Sequence, residues 1–145
     1  MIGCLTEDIF SLDWFTFDYG GGGSAASYFA YDPTWSTLIG YPASYGADSE
    51  LNDHHFHYGY YIMAASIIAR FDPEWAQADN WGGMIELLIK DAANWDRTDD
   101  RFCFLRHMEP YVGYSYASGH AGFAAGNNQE SSSEGLNFAS ACVYW

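Results

Sequence analysis

The stretch HFHYGYYIMAASIIARF, residues 55–71, decides the fold. Its large apolar side chains recur on every side of a helical projection. They are Phe56, Tyr60, Met63 and Ile67 on one face and Tyr61, Ile62, Ala65 and Ile68 on the others. A helix that is hydrophobic all round is buried all round. Asp72-Pro73 ends it, because a residue before proline disfavours the helical conformation. The sequence therefore predicts a buried helix over residues 55–71.

Three more helices are predicted, and strand signals are weak. Residues 82–93 form an amphipathic pattern, and Glu86 and Lys90 are an exposed i, i+4 pair. Residues 132–145 form the final helix, and a short helix is expected around Glu7 to Trp14. Because β-branched alternation is scarce, we predict an all-α class in which buried and amphipathic helices alternate.

A polar run precedes the final helix, at residues 127–134. Ser131 and Glu134 have the spacing of a capping box. Glu130 lies just outside the first turn and is not needed for capping, yet it projects into the same space as Glu134. The run is either a well-capped helix start or part of a functional site.

A second polar cluster occupies Glu50–Tyr61 and includes one Asp and three His. Asp53 is placed to cap the helix, and a catalytic role is the alternative. The histidines fit either a metal site, for which His54 and His57 supply one i, i+3 pair, or a sugar-binding wall. With 12 Tyr and 6 Trp in the chain, the sugar wall is favoured, because these side chains match both the C–H faces and the hydroxyls of glycans.

These residues resemble the catalytic core of glycoside hydrolase family 81, the endo-1,3-β-glucanases or laminarinases. The resemblance rests on NDHHFHYGY (52–60), GHAGF (119–123) and GNNQESSSE (126–134), and it extends through residues 35–44 and 71–75. The order and spacing of the first and third motifs are highly specific. One departure is YSYASG at 114–119, where the family typically has HSWASG, so that Tyr114 and Tyr116 replace His and Trp.

The resemblance implies a fold that this chain is too short to complete. Family 81 catalytic domains are (α/α)6 barrels, preceded in complete members by a β-sandwich domain. Twelve helices of ordinary length with their loops need roughly 200 residues or more, against 145 here. We therefore expect residues 1–145 to be a fragment, about half of the barrel, without the β-sandwich domain and without the rest of the parent polypeptide.

The resemblance also implies endo-hydrolysis of 1,3-β-glucan by inversion. Matched residue by residue, Asp53 is the general acid, Glu130 the general base and Glu134 an assisting carboxylate. Asp53 among aromatic side chains and other carboxylates is expected to have a raised pKa. The predicted substrate contacts are His54, His57, Tyr58, Tyr60, His120 and Asn127. No metal and no cofactor are implied.

Composition excludes several other partners. With Lys+Arg 5 against Asp+Glu 19, the net charge of -14 disfavours nucleic acids and anionic membranes. No apolar run is long enough to span a bilayer, and the first residues show no signal peptide. Many family members are nevertheless secreted or associated with the cell wall. Three widely spaced cysteines, Cys4, Cys103 and Cys142, predict neither a disulfide framework nor a metal site.

Two alternative functions remain. One is a non-catalytic glucan-binding fragment, inactive because its barrel is incomplete. The other is a metal-dependent hydrolase built on His54, His57 and His120.

Overall fold

The computed structural model describes residues 28–120, 122–124 and 128–145. The helix expected around Glu7 to Trp14 and the predicted substrate contact Asn127 lie outside these residues. Within them the element order is β1 (Tyr28–Asp32), β2 (Thr37–Tyr41), α1 (His54–Phe71), α2 (Gly82–Ala93), β3 (Met108–Glu109), β4 (Tyr114–Ser115) and α3 (Ser132–Tyr144).

The three helices agree with the sequence prediction. They were expected over 55–71, 82–93 and 132–145, and each observed boundary lies within one residue of its prediction. α1 packs against both α2 and α3. Gly59 permits the approach of α3, because a Cβ atom there would lie 3.1 Å from the Cα atom of Phe138. The core between the helices consists of interlocking aliphatic and aromatic side chains, among them Ile62, Ile85, Leu88 and Phe138.

Two small antiparallel sheets accompany the helices and were not predicted. In the β1–β2 hairpin, Tyr28 lies opposite Tyr41 and Asp32 opposite Thr37. Oδ1 of Asp32 accepts hydrogen bonds from the backbone N–H groups of Thr34 and Trp35, which fixes the turn. β3 and β4 pair over two residues each. Strands this short give too few alternating positions for recognition by periodicity.

Only one half of α1 is buried as the sequence predicted. Its N-terminal half is buried, with Phe56, Tyr58 and Ile62 at most 3% exposed. Ile67 and Phe71 in the last turns are 53% and 86% exposed. The prediction of burial on every side is thus wrong for the C-terminal half, where neither α2 nor α3 covers the outer face.

The described part of the chain is helix-rich, and the all-α prediction needs correction only for the two sheets. Among the same residues, no helix is both long and apolar enough to cross a lipid bilayer. Cys103 and Cys142 are free thiols.

Candidate functional site: a carboxylate cluster at two helix N-termini

Asp53 occupies the N-cap position of α1 without capping the helix. Its backbone is left-handed, at φ 61°, and its side chain makes no capping hydrogen bond. Oδ2 accepts a hydrogen bond of 3.0 Å from Nδ2 of Asn52, whereas Oδ1 is buried and has no hydrogen-bond partner in the described structure. Helix capping therefore does not explain this residue. A left-handed backbone together with a buried carboxyl oxygen that has no partner is typical of a functional position.

The surroundings of Asp53 raise its pKa. Burial makes the largest contribution, and the negative charge of Glu130 makes the next. Glu134 adds to the increase, while His57 and His54 oppose it. The net effect favours the protonated carboxylic acid of Asp53. The negative charges of Glu130 and Glu134 both contribute to it.

The backbone of Ala117 forms hydrogen bonds with both polar clusters. The N–H of Asp53 donates to the carbonyl oxygen of Ala117 at 2.7 Å, and the N–H of Ala117 donates to the carbonyl oxygen of Asn128 at 2.8 Å. Glu130 follows two residues later with φ 60° and an exposed side chain. The structure thus brings together the chain segments that contain both predicted catalytic carboxylates.

Glu134 lies in the first turn of α3, and half of the predicted capping box is present. Oγ of Ser131 accepts a hydrogen bond of 3.3 Å from the N–H of Glu134. The reciprocal bond is absent, because the N–H of Ser131 donates to the carbonyl oxygen of Gln129. The Glu134 carboxylate instead accepts a hydrogen bond of 3.0 Å from the Tyr60 hydroxyl. This contact joins Glu134 to the second turn of α1.

His120 is held on the loop that approaches the entry to α1. A Cβ atom on Gly119 would lie 1.9 Å from the carbonyl oxygen of Leu51, so only glycine permits this approach. Nε2 of His120 lies 3.1 Å from Oε2 of Glu50, and Nδ1 accepts a hydrogen bond from the N–H of Gly122. Its ring stacks on Phe123, with centroids 5.1 Å apart.

His57 and Tyr60, the other accessible candidates, lie on α1. The ring of His57 is half-buried and lies 6.0 Å from the ring of Tyr45, which is 82% exposed. Tyr60 is 57% exposed. Both candidates therefore remain accessible beside the carboxylates.

Two predicted substrate contacts are buried beneath this surface. Tyr58 is 3% exposed, and its hydroxyl donates to the carbonyl oxygen of Leu38 at 2.7 Å. His54 is fully buried, with Nδ1 2.7 Å from Oδ2 of Asp91 and Nε2 3.0 Å from the carbonyl oxygen of Ala47. The structure gives neither side chain access to a ligand, so their prediction as substrate contacts is not supported.

The same contacts argue against the three-histidine metal site. Both ring nitrogens of His54 and of His120 already have protein partners. In the part of the chain that the structure describes, no group of three or more metal-ligating side chains converges. His54 and His120 instead use their ring nitrogens for hydrogen bonds within the protein.

Sequence reasoning missed Asp91 and the pairing role of Glu50. Asp91 is fully buried on α2. The sequence did contain one sign of a buried partner. Asp91 comes immediately before the inward-facing Ala92, and an unpaired charge in the interior would be costly. For Glu50, the sequence offered no sign that its partner would lie 70 residues away.

The chain is similar to known glucanases over nearly its whole length. Residues 19–145 match the sequence profile of the glycosyl hydrolase family 81 C-terminal domain. A glucan endo-1,3-beta-D-glucosidase of Acetivibrio thermocellus is 64% identical over 92% of this chain, and that of Thermobifida fusca is 55% identical over 90%. A primary septum glucan endo-1,3-beta-D-glucosidase of Schizosaccharomyces pombe is 34% identical over 79%.

A solved structure agrees with these matches. A glutamate-to-alanine mutant of a glycoside hydrolase family 81 protein from Clostridium thermocellum superposes with a TM-score of 0.80 at 58% identity, covering 99% of this chain. The chain spans 19% of that structure and 17% of each of the two bacterial relatives. The profile match covers most of the sequence, and the chain belongs to glycosyl hydrolase family 81.

Proposed function

We propose that this chain contributes the acid and base carboxylates of an enzyme that hydrolyses internal 1,3-β-D-glucosidic linkages with inversion. The strongest support is the environment of Asp53. This carboxyl group is buried, and its pKa is raised by burial and by Glu130. The glucanase names of its family relatives give the substrate class.

Asp53 is suited to the role of general acid. The leaving glycosidic oxygen needs a proton, so its donor has to be protonated at working pH. Burial and the two neighbouring glutamates favour that state. Oδ1 has no hydrogen-bond partner among the described residues, so no protein acceptor there competes for the proton of the acid.

Glu130 is suited to the role of general base. Its side chain is exposed, so its charged form keeps contact with solvent and with a nucleophilic water. Inversion requires about 6.5–9.5 Å between the two carboxyl groups to accommodate that water. We propose this separation for Asp53 and Glu130, with Glu134 as the assisting carboxylate.

Substrate contacts are proposed for accessible side chains around the carboxylates. These are His57, Tyr60 and His120, and they offer imidazole and phenol groups that match sugar hydroxyls and ring faces. Asn127 is proposed from the sequence motif alone. Tyr58 and His54 support the site from beneath.

The exposed outer face of α1 supports the proposal that the chain is part of an (α/α)6 barrel, roughly half of it. The rest of the parent polypeptide, including a β-sandwich domain, then lies outside residues 1–145. A polysaccharide substrate suggests that the parent protein is secreted or associated with a cell wall.

The test uses the complete protein that contains this chain, with laminarin as substrate. Proton NMR during the first turnovers reports the anomer released. Inversion predicts that the α-anomer appears first from a β-glucan, whereas initial β-anomer would refute the inverting assignment.

The second candidate is a glucan-binding fragment without activity. It is favoured for the isolated chain by the exposed C-terminal half of α1, where apolar side chains are left uncovered. Laminarin binding by the isolated chain, without released oligosaccharides, would identify it.

A further inference from the structure

A buried contact between a carboxylate and a histidine lies directly beneath the N-terminus of α1. Asp91 of α2 is fully buried. Its Oδ1 atom accepts hydrogen bonds from Oγ1 of Thr37 at 2.8 Å and from the N–H of Leu38 at 2.7 Å. Its Oδ2 atom lies 2.7 Å from Nδ1 of His54. One carboxylate therefore connects β2, α2 and the first residue of α1.

The partners of His54 define where its protons are. Nε2 lies 3.0 Å from the carbonyl oxygen of Ala47, which only accepts, so Nε2 bears a hydrogen. Burial would raise the pKa of Asp91, but its hydrogen bonds with His54 and with the Leu38 N–H, together with Arg106, favour the ionised carboxylate and lower it. The ionised carboxylate also only accepts, so Nδ1 bears a hydrogen as well. His54 is then an imidazolium ion paired with Asp91.

This pair anchors the start of the helix that Asp53 does not cap. Asp53 is left-handed and makes no side-chain capping bond, so the helix entry depends on other anchors. One is the backbone hydrogen bond from Asp53 to Ala117. The other is the side chain of His54, the next residue, which is held at both ring nitrogens.

We propose that Asp91 is a positioning residue for the reaction: by its ion pair with His54 it fixes the α1 N-terminus and thereby the carboxyl group of Asp53. This inference rests on the proposed function, because it assumes that Asp53 is the acid. Asp91 itself is too deeply buried to contact substrate.

The pair also has an electrostatic consequence for Asp53. The groups that act on Asp53 are Glu130 and Glu134, which raise its pKa, and His57 and His54, which lower it. A neutral His54 would remove one of the two opposing charges. The pKa of Asp53 would then rise further, and activity that depends on its protonated form would persist to higher pH.

The test is Asp91→Asn in the complete protein. An asparagine oxygen can still accept from Thr37 and Leu38, and its amide can donate to Nδ1 of a neutral His54. The hydrogen-bond geometry is thus retained while the charge is lost. We expect a lower kcat, KM within about twofold, and an alkaline limb of kcat/KM displaced to higher pH, because one of the two charges that lower the pKa of Asp53 is lost.

Asn94→Ala is the matched control. Asn94 is also fully buried at the end of α2, and its Nδ2 donates to the carbonyl oxygens of Asp99 and Phe102. We expect this variant to lower the melting temperature and to leave the pH profile unchanged. If Asp91→Asn likewise loses only stability, or if its kcat and pH profile equal those of the wild type, the positioning role is refuted.

Nitrogen-15 NMR of the wild-type histidines tests the pair without any variant. Two protected ring N–H signals for His54 are expected, and a single N–H would overturn the ion pair even if Asp91→Asn fails to fold. Absence of glucan hydrolysis by the wild type would refute the proposed function, and with it the catalytic consequence of Asp91, while the NMR result would still decide the ion pair.

Discussion

The hydroxyl group of Tyr60 donates a hydrogen bond of 3.0 Å to Oε1 of Glu134. This contact joins the second turn of α1 to the first turn of α3; Asp53 directly precedes α1, and Glu130 lies two residues before α3. Glu134 in turn raises the pKa of the Tyr60 phenol, chiefly through this hydrogen bond. The contact therefore orients the carboxylate proposed to assist Glu130.

Replacement of Tyr60 by phenylalanine tests this orientation. We expect a several-fold decrease in kcat/KM for laminarin, because Glu134 loses the donor that fixes its rotamer while the aromatic ring remains. The control is Tyr111→Phe, which changes a tyrosine that is 96% exposed on the β3–β4 turn. Equal activity of the two variants would contradict a role for the contact.

The proposed acid and base are tested by Asp53→Asn and Glu130→Gln in the complete protein. Each variant keeps the shape of the side chain but removes the proton-transfer group. We therefore expect kcat to fall by about 10²–10⁴-fold. Laminarin binding, measured by calorimetry, should persist. Glu74→Gln is the control, because this exposed residue follows the far end of a helix about 27 Å long. Near-normal turnover by either test variant would refute its assignment.

The electrostatic link between the two carboxylates is tested by titration. Because the charge of Glu130 raises the pKa of Asp53, Glu130→Gln should lower that pKa toward its ordinary value. Burial, the larger cause, remains, so the substitution should reverse only part of the increase. Carbon-13 NMR of labelled aspartate measures this change. Glu86→Gln on α2 is the control, and an unchanged Asp53 titration in Glu130→Gln would separate the two groups.

Sequence reasoning succeeded where the signal was local. The apolar period over 55–71 and the Ser131–Glu134 spacing depend on residues a few positions apart, and the structure confirms the helix and the forward half of the cap. The histidines show the limit. His54 and His57 are equally polar and lie three residues apart, yet one is buried against Asp91 and the other faces Tyr45.

What could not be predicted was long-range pairing. Asp91 is 37 residues from His54, and Ala117 is 64 residues from Asp53. Neither connection leaves a periodic trace in the sequence. The buried pair becomes recognisable only when α2 and β2 are placed against the start of α1.

Acid sensitivity is expected from His55. Its ring is fully buried, neither ring nitrogen has a hydrogen-bond partner in the described structure, and burial followed by the charges of His54 and His57 lowers its pKa from 6.5 to about 3. Between pH 3 and pH 6.5 the imidazole of His55 therefore binds a proton more readily in the unfolded state than in the folded state. Stability is thus fully present above pH 6.5 and is lost toward pH 3, by up to about 1.4 kcal/mol per pH unit.

Replacement of His55 by phenylalanine should reduce that dependence. The ring stacks on His107 with centroids 4.7 Å apart, and phenylalanine preserves a planar ring there. Melting temperatures between pH 4 and pH 7 should vary less in this variant. In the control His57→Phe, the dependence should persist because His55 remains. An equally steep dependence in His55→Phe would show that other groups cause it.

The exposed apolar groove at the C-terminal ends of α1 and α3 predicts how the isolated chain behaves. The groove is about 630 Å³ and is lined by Met63, Ser66, Ile67, Arg70, Val143 and Tyr144. Within it Val143 is 82% exposed and Tyr144 is 64% exposed. Apolar side chains exposed next to one another favour association.

We expect the isolated chain to bind 1-anilinonaphthalene-8-sulfonate and to self-associate with rising concentration in analytical ultracentrifugation. The double substitution Ile67→Ser and Val143→Ser should reduce both effects, because it removes apolar area from facing sides of the groove. Tyr111→Ser, at a side chain that is 96% exposed on the β3–β4 turn and does not line the groove, should leave them unchanged. A wild-type chain that stays monomeric and does not bind the dye would contradict the proposal that a missing part of the barrel normally covers this face.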